Sequence, residues 1–167
     1  MPLDRHLVVH LHEMYATERD FRDYLNSWSE KVSNPQLKTA VQHQINDIQQ
    51  EMDILRRCIS MMGASPKEEL KSQMVQAFRQ EYHTMMHEMP NATLSDMDVH
   101  LALLDVTFGH AELGAYQGMI DMAKVLNRKD IVDLLQQNFR SEQRDVQQMQ
   151  NLLPTLIHQS ERPQMAA

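Results

Sequence analysis

Apolar side chains recur every three or four residues along four long segments of this chain, and that periodicity limits the fold more than any other feature. In the first segment the repeat consists of Leu7, Leu11, Met14, Phe21, Leu25, Trp28 and Val32. Each residue of an α-helix advances by about 100°, so this spacing places the side chains on one face. Glycine and proline, with 4 and 6 residues, are too scarce to interrupt long helices. The pattern predicts an all-α protein.

Four short segments of helix-breaking residues divide the chain. They read SNPQ at 33–36, GASPKEE at 63–69, MPNATLSD at 89–96 and NRKD at 127–130. Each of them contains residues that commonly end one helix or begin the next. The predicted long helices cover residues 3–32, 35–62, 96–126 and 129–153, and a shorter helix covers 66–87.

The lengths of the connections predict how these helices are arranged. Two connections between long helices are short, whereas the middle one is long and contains the helix predicted for 66–87. This pattern is typical of a ferritin-like four-helix bundle with one additional short helix in the crossover between the second and third long helices. We expect the bundle domain to cover residues 1–157, with Pro154 ending or kinking the last helix, and residues 158–167 to form a disordered tail.

Each of the four apolar faces is interrupted by a glutamate: Glu18, Glu51, Glu112 and Glu142. Glu18 and Glu51 lie at nearly equal distances from the turn near residue 34. Glu112 and Glu142 are related in the same way to the turn near residue 127. Such positions face one another in antiparallel helix pairs. If the two pairs are in register, four helices bring carboxylates to one level of an otherwise apolar core.

Such a layer needs compensation, because carboxylates repel one another and the desolvation of each costs several kcal/mol. A divalent or trivalent cation supplies the missing charge, and oxygen ligands suit iron or manganese. A two-metal site in such a bundle uses one glutamate from each of two helices and ligand pairs three residues apart from the others. The pairs Gln44/Asp47 and Glu142/Asp145 have this spacing. The alternative is a hydrogen-bonded polar layer that fixes the register of the helices without a metal.

Four stretches, taken in their order and spacing, resemble one known family: LHEMYATERDF, NPQLKTAVQHQINDIQQEMDIL, FGHAELGAY and NFRSEQRD. They are similar to the ferritin-like superfamily, and more closely to the YciE/YciF-type bacterial stress proteins. The predicted main metal ligands are Glu18, Glu112 and Glu142, completed by Gln44, Asp47, Glu51 and Asp145. The resemblance implies iron or manganese as the cofactor and a homodimer. If the protein is an enzyme, the resemblance implies a ferroxidase- or peroxidase-like reaction on Fe(II) with peroxide or oxygen.

The sequence departs from the resembled family at positions that matter for a metal. The family has histidine and glutamate where this chain has Gln44 and Asp47, and glutamate where it has Gly109. Weaker binding, one ion in place of two, and loss of the site are therefore alternatives, and Glu51 could replace part of what is missing. Loss of the site corresponds to a second function, a metal-free structural or interaction protein with a relic acidic layer.

Smaller features near the acidic positions carry further expectations. Gly114 and Gly118 are four residues apart, and such spacing lets another helix approach closely. Tyr15 and Tyr116 could neighbour the acidic layer as hydrogen-bond donors. His110 lies nearly opposite the apolar face of its segment, which predicts a surface or interface position for it.

The charge balance and the apolar runs argue against other partners. The formal net charge is −7 and no basic stripe is present, which argues against nucleic acid. No apolar run approaches the roughly 20 residues that a membrane helix needs, and the N-terminus lacks the apolar stretch of a signal peptide. Cys58 is the only cysteine, so an internal disulfide is excluded. We expect a cytoplasmic protein that binds metal ions and, from the resemblance, a second copy of itself.

Overall fold

The computed structural model describes residues 2–161, and within that range every regular element is a helix. The five elements are α1 (Leu3–Ser29), α2 (Pro35–Met61), α3 (Gln73–Glu88), α4 (Leu94–Val125) and α5 (Lys129–Ser160). The all-α prediction is therefore confirmed. The four long helices begin within a few residues of the predicted positions. The reason is that the apolar periodicity stops and restarts at the same places where the helix-breaking segments lie.

The four long helices lie side by side around one core. α1 packs along α2 and α4 along α5, and these hairpins meet through α2 with α5 and through α1 with α4. The backbone nitrogen of Asn34 donates to Asp98 (2.8 Å) and its side chain donates to Gln159 (2.7 Å), which places the start of α4 and the end of α5 beside the first turn. At the opposite end, Arg128 donates to the carbonyl oxygen of Met61 (3.2 Å). Neighbouring long helices are thus antiparallel, and the connection from α2 to α4 runs the length of the molecule.

The shorter helix, α3, lies in this long connection and packs on α1 and α4. It begins at Gln73 with Ser72 as its N-cap, so the predicted start at residue 66 is wrong. Contacts with α1 override the helix-start signals of residues 66–72, the segment before α3. Tyr15 donates to both carboxylate oxygens of Glu68 (3.0 and 3.1 Å), and Arg19 donates to the carbonyl oxygen of the same residue (2.6 Å).

The last helix continues through Pro154 to Ser160, so the predicted end at residue 153 is wrong. Proline removes one backbone hydrogen bond, but the turn that follows it is anchored by tertiary contacts. Leu156 is buried, and Gln159 accepts the hydrogen bond from Asn34. Residues 158–160 of the predicted tail are therefore helical, and residues 162–167 lie outside the described range.

The space between the long helices is filled mainly by apolar and aromatic side chains. Phe21 of α1 stacks on Phe108 of α4 with the ring centroids 4.0 Å apart. Trp28 of α1 meets Tyr82 of α3 edge to face, with centroids 4.7 Å apart. None of the helices in residues 2–161 combines the length and the apolar character needed to cross a bilayer.

Candidate metal centre

Four glutamates, one from each long helix, come together inside this apolar core. We call them the acidic layer: Glu18 (α1), Glu51 (α2), Glu112 (α4) and Glu142 (α5). Each is at most 2% exposed to solvent. The groups lie within electrostatic reach of one another, since the charges of the other three all raise the pKa of Glu112. The structure thus places these side chains at one level of the core, where the helix periodicity predicted them.

Most carboxylate oxygens of the acidic layer have no hydrogen-bond partner among residues 2–161. Both oxygens of Glu51 and of Glu112, Oε2 of Glu18 and Oε1 of Glu142 are buried and unpaired. The ion pairs formed in that range include no layer glutamate. Buried polar atoms are normally paired, and each unpaired one costs about 1–3 kcal/mol. The arrangement therefore leaves several acceptor oxygens free at one place.

Burial raises the pKa of every carboxyl group in the acidic layer. It raises the pKa of Glu18 to about 7, although the hydrogen bond from Tyr116 acts in the opposite direction. The pKa values of Glu51, Glu112 and Glu142 are raised well above the usual range, first by burial and then by the charge of Glu18. Without a cation, burial and mutual repulsion therefore favour the protonated form of these carboxyl groups.

Two neutral side chains, Tyr116 and Asn138, link the helices at this level. The hydroxyl of Tyr116 donates to Oε1 of Glu18 (2.6 Å). The side-chain nitrogen of Asn138 donates to the Tyr116 oxygen (3.1 Å) and to the backbone carbonyl of Glu51 (3.0 Å). This chain of hydrogen bonds joins all four long helices. It holds Glu18 in one orientation while leaving its second oxygen free.

Sequence reasoning identified only part of this supporting shell. The sequence predicts Tyr116 at the acidic level, and it lies there. Tyr15, the other predicted donor, is bonded to Glu68 instead, so that expectation is wrong. Asn138 was missed, although it lies one turn before Glu142 on the same helix face. An amide on an otherwise apolar face was the signal that could have found it.

A second polar pair, Gln44 and Asp105, lies two helical turns along α2 and α4 from the acidic layer. Nε2 of Gln44 donates to Oδ1 of Asp105 (3.0 Å), and both residues are buried. Burial raises the pKa of Asp105 to about 7, with the hydrogen bond from Gln44 lowering it. The amide nitrogen of Gln44, a predicted ligand, is therefore engaged, while its Oε1 has no partner within residues 2–161. Asp105 is a further buried acid that the sequence did not assign to the site.

The two remaining predicted ligands, Asp47 and Asp145, lie at the edge of the core, one turn from the acidic layer. His43 of α2 joins them there, with Nδ1 3.4 Å from Oδ2 of Asp47. One ligand atom from each of the three lies within 4.8 Å of the others, and we call this group the outer cluster. Burial raises the pKa of Asp145 to about 6, the charge of Asp47 adds to the effect, and His43 opposes it.

Gly109 lies at a close approach of α4 and α5 beside the acidic layer. A Cβ atom built there would overlap Cγ2 of Val146 and come within 2.6 Å of Oε1 of Glu142. The position that carries a glutamate in the resembled family therefore has no room for a side chain in this packing. The close approach of α5 explains why glycine stands here.

Replacement of Gly109 by alanine is expected to lower the free energy of unfolding by about 1–3 kcal/mol, because overpacking outweighs the better helix propensity of alanine. The matched control is Gly118→Ala on the same helix, where a Cβ would meet no atom within 4 Å. That variant is expected to gain about 0.5–1 kcal/mol. Urea unfolding of both variants measures the difference, and stabilisation by Gly109→Ala would contradict the close approach of α4 and α5.

The other predictions for α4 concern its outer face. The expectation that a helix packs on Gly114 and Gly118 is wrong within residues 2–161, because no atom there lies within 4 Å of a Cβ at either position. His110 lies on the exposed side, as predicted, where its ring nitrogen is 3.1 Å from the side-chain nitrogen of Gln150. It lies outside the acidic layer.

The groups of the acidic layer match the requirements of a hard cation. Its side chains offer only carboxylate oxygens, which suit iron, manganese and other oxygen-preferring ions. The unpaired oxygens point to a missing positive partner, and the ion pairs described above supply none. Binding of an ion would release the protons that the carboxyl groups otherwise hold. The residues present therefore fit a bound metal.

Comparison with solved structures shows a shared fold at low sequence identity. The E. coli stress protein YciF matches with a TM-score of 0.83 and 14% identity over 95% of this chain and 98% of its own. YcfI of Rhodopseudomonas palustris, a proposed structural protein, matches with a TM-score of 0.82 and 19% identity over 90% and 94%. A protein from Xanthomonas campestris gives 0.74 and 13% over 94% of each chain.

Comparison with protein families covers almost the whole described chain. Residues 2–161 match the family described as Domain of unknown function (DUF892). A search of the curated proteins finds no match. Because the family match spans all five helices, including the acidic layer and the outer cluster, the chain belongs to the DUF892 family.

Proposed function

We propose that this protein is a ferritin-like carboxylate protein of the bacterial stress response that binds iron, or manganese, in the acidic layer. The observation that carries the proposal is the set of buried, unpaired glutamate oxygens contributed by four helices. The fold shared with the stress protein YciF supports the stress-related setting. We place the protein in the cytoplasm, where Fe(II) is available.

In this proposal, Glu18, Glu112 and Glu142 are the main ligands and Glu51 is the fourth carboxylate at their level. Gln44, Asp47 and Asp145 complete the shell from its outer edge. Bound iron would supply redox chemistry with peroxide or oxygen, as a ferroxidase or peroxidase requires.

The protein's own residues hold the site in order. Tyr116 orients Glu18 through its hydrogen bond and, since its pKa is raised well above 10 by burial, keeps its proton. Asn138 fixes Tyr116 in turn. Buried apolar residues one turn from the layer, such as Phe108 and Phe21, exclude water from the carboxylates.

A second candidate function is a metal-free structural or interaction protein. It is favoured by the hydrogen bond between Gln44 and Asp105, which satisfies part of the polar core without a cation. The similarity to YcfI, a proposed structural protein, agrees with this alternative. In that case the acidic layer would contain protonated carboxyl groups and would only set the register of the helices.

We also propose that the protein forms a homodimer and that neither nucleic acid nor a membrane is a partner. The resemblance to the YciE/YciF-type proteins supports the dimer, and the net charge of −7 argues against nucleic acid. Sedimentation at several concentrations measures the oligomeric state.

The metal content of the purified protein tests the proposed function. Protein from iron-supplied cells is expected to contain iron or manganese in near-stoichiometric amount. Glu18→Gln combined with Glu142→Gln is expected to abolish it, because neutral amides bind hard cations poorly. The control pair, Glu13→Gln with Glu81→Gln, changes two exposed glutamates and should keep the metal. Wild-type protein without metal, even after reconstitution with Fe(II), would favour the structural alternative.

A further inference from the structure

The outer cluster has features that the acidic layer lacks. His43 and Asp47 are four residues apart on α2, so they lie on the same helix face one turn apart. The distance of 3.4 Å between Nδ1 and Oδ2 brings the imidazole and the carboxylate together. The side chain of His43 is 66% exposed, so this edge of the core is open to solvent. A ligand could reach it without any movement of the helices.

Asp145 completes the cluster from the neighbouring helix, α5. The residue is only 7% exposed, and one of its carboxylate oxygens lies within 4.8 Å of ligand atoms of His43 and Asp47. Its Oδ2 is buried, and no group within residues 2–161 donates a hydrogen bond to it. Asp145 is thus a nearly buried carboxylate beside an imidazole and a second carboxylate, and one of its oxygens is left without a hydrogen bond.

We propose that the outer cluster is a second cation site, which binds one divalent transition-metal ion through an imidazole and two carboxylates. Three protein ligands and an open position facing solvent form the coordination pattern of an accessible metal site. The imidazole favours Zn(II), Co(II) or Ni(II) over Ca(II) and Mg(II), which prefer oxygen ligands alone. This selectivity separates the outer cluster from the all-oxygen acidic layer.

The two sites are separate along the helices. Asp47 and Glu51 are four residues apart on α2, and Asp145 and Glu142 are three apart on α5. At about 1.5 Å per residue, this spacing displaces the outer cluster from the acidic layer by about 4.5–6 Å along the helix axes. The outer site uses none of the four layer glutamates. It shares Asp47 and Asp145 with the outer edge of the shell proposed for iron, so it rests on that proposal for these two residues, and His43 is the ligand that belongs to the outer site alone.

Titration of the metal-free full chain with CoCl2 tests this site. Calorimetry gives the affinity, and the proton spectrum of the imidazoles shows which histidine binds. In the wild type we expect a binding step that shifts the His43 ring signals and that CaCl2 does not reproduce. His43→Ala is expected to weaken this step by at least about tenfold, since the loss of even a supporting partner can cost a metal site that much. Asp47→Asn is expected to weaken it as well.

Two controls separate the outer cluster from the acidic layer. His10→Ala replaces another exposed helical histidine and should leave Co(II) binding unchanged. Glu18→Gln with Glu142→Gln should keep the His43-dependent step even though it removes the ligands proposed for iron. Equal Co(II) affinity in the wild type and in His43→Ala would overturn the outer site, as would absence of Co(II) binding in the wild type. Equal affinity in His43→Ala would leave the iron proposal standing, because iron in the acidic layer is measured separately by metal content.

Discussion

Fe(II), added without oxygen to the metal-free protein, is expected to raise its melting temperature by about 5–10 °C at neutral pH. An ion that binds only the native state at about 100 times its Kd stabilises that state by about 2.7 kcal/mol. For a chain of 167 residues, each kcal/mol corresponds to about 2–4 °C. The stabilisation arises because the ion supplies the charge that the unpaired oxygens of Glu51 and Glu112 lack.

The increase in melting temperature is expected to shrink as the pH falls. Burial raises the pKa of Glu18 to about 7 and raises those of Glu112 and Glu142 well above their usual range, so protons compete with the ion for the same oxygens. The competition is strongest at acid pH, where the raised pKa values favour the protonated form of the layer. Thermal unfolding followed by circular dichroism, with and without Fe(II) across the range from about pH 5.5 to 7.5, measures the effect.

The same variants that test the metal content serve as controls for this measurement. Glu18→Gln with Glu142→Gln should lose the increase, whereas Glu13→Gln with Glu81→Gln should keep it. An equal increase in both pairs would mean that Fe(II) binds elsewhere on the protein. No increase in the wild type would support the metal-free alternative.

The helices and the meeting of the four glutamates could be predicted because both follow from helical periodicity. Glu18, Glu51, Glu112 and Glu142 interrupt apolar faces at matching distances from two turns, and antiparallel packing brings such positions together. The ligand roles of these residues could not be established in this way, because periodicity determines where the side chains lie and not whether they bind a metal ion. They remain predictions that the metal measurements decide.

Features that depend on tertiary contacts could not be predicted from the sequence. The start of α3 shifts to Gln73 because Tyr15 and Arg19 of α1 hold the preceding segment. The sequence suggests that Gly109 stands where a ligand was lost. In the structure, Val146 lies so close that the position has no room for a side chain. Each of these outcomes is decided by a residue far away in the chain, and one sequence does not reveal such pairs.

The position of the histidine in the site also differs from the position that the resemblance predicts. The resemblance to the YciE/YciF-type proteins places the family's helix-2 histidine at Gln44, and the amide of that residue is bonded to Asp105. The histidine that does reach a carboxylate is His43, one residue earlier and about 100° around the helix, which places it at the surface. A change of one position therefore moves the imidazole from the core to its edge.

The metal-free protein is expected to lose stability as the pH rises from about 5 to 8. Burial raises the pKa of Glu18 from 4.5 in its ordinary state to about 7 in the folded protein. Over that interval the folded chain keeps a proton that the unfolded chain has already released, so unfolding releases protons and rising pH favours it. The shift of Glu18 corresponds to a loss on the order of 3 kcal/mol. Urea unfolding at several pH values, with a chelator present, measures the slope.

A single substitution distinguishes the contribution of Glu18 to this pH dependence from the contributions of the other titrating groups. Glu18→Gln keeps the shape of the protonated glutamate but carries no titrating group, so it should match the wild type near pH 5 and be more stable near pH 8. Glu13→Gln, on the exposed side of the same helix, should follow the wild type at both pH values. If Glu18→Gln were instead the less stable protein at high pH, the Glu18 carboxylate would have a positive partner in the metal-free state. The absence of such a partner is the reason for expecting a cation in the acidic layer.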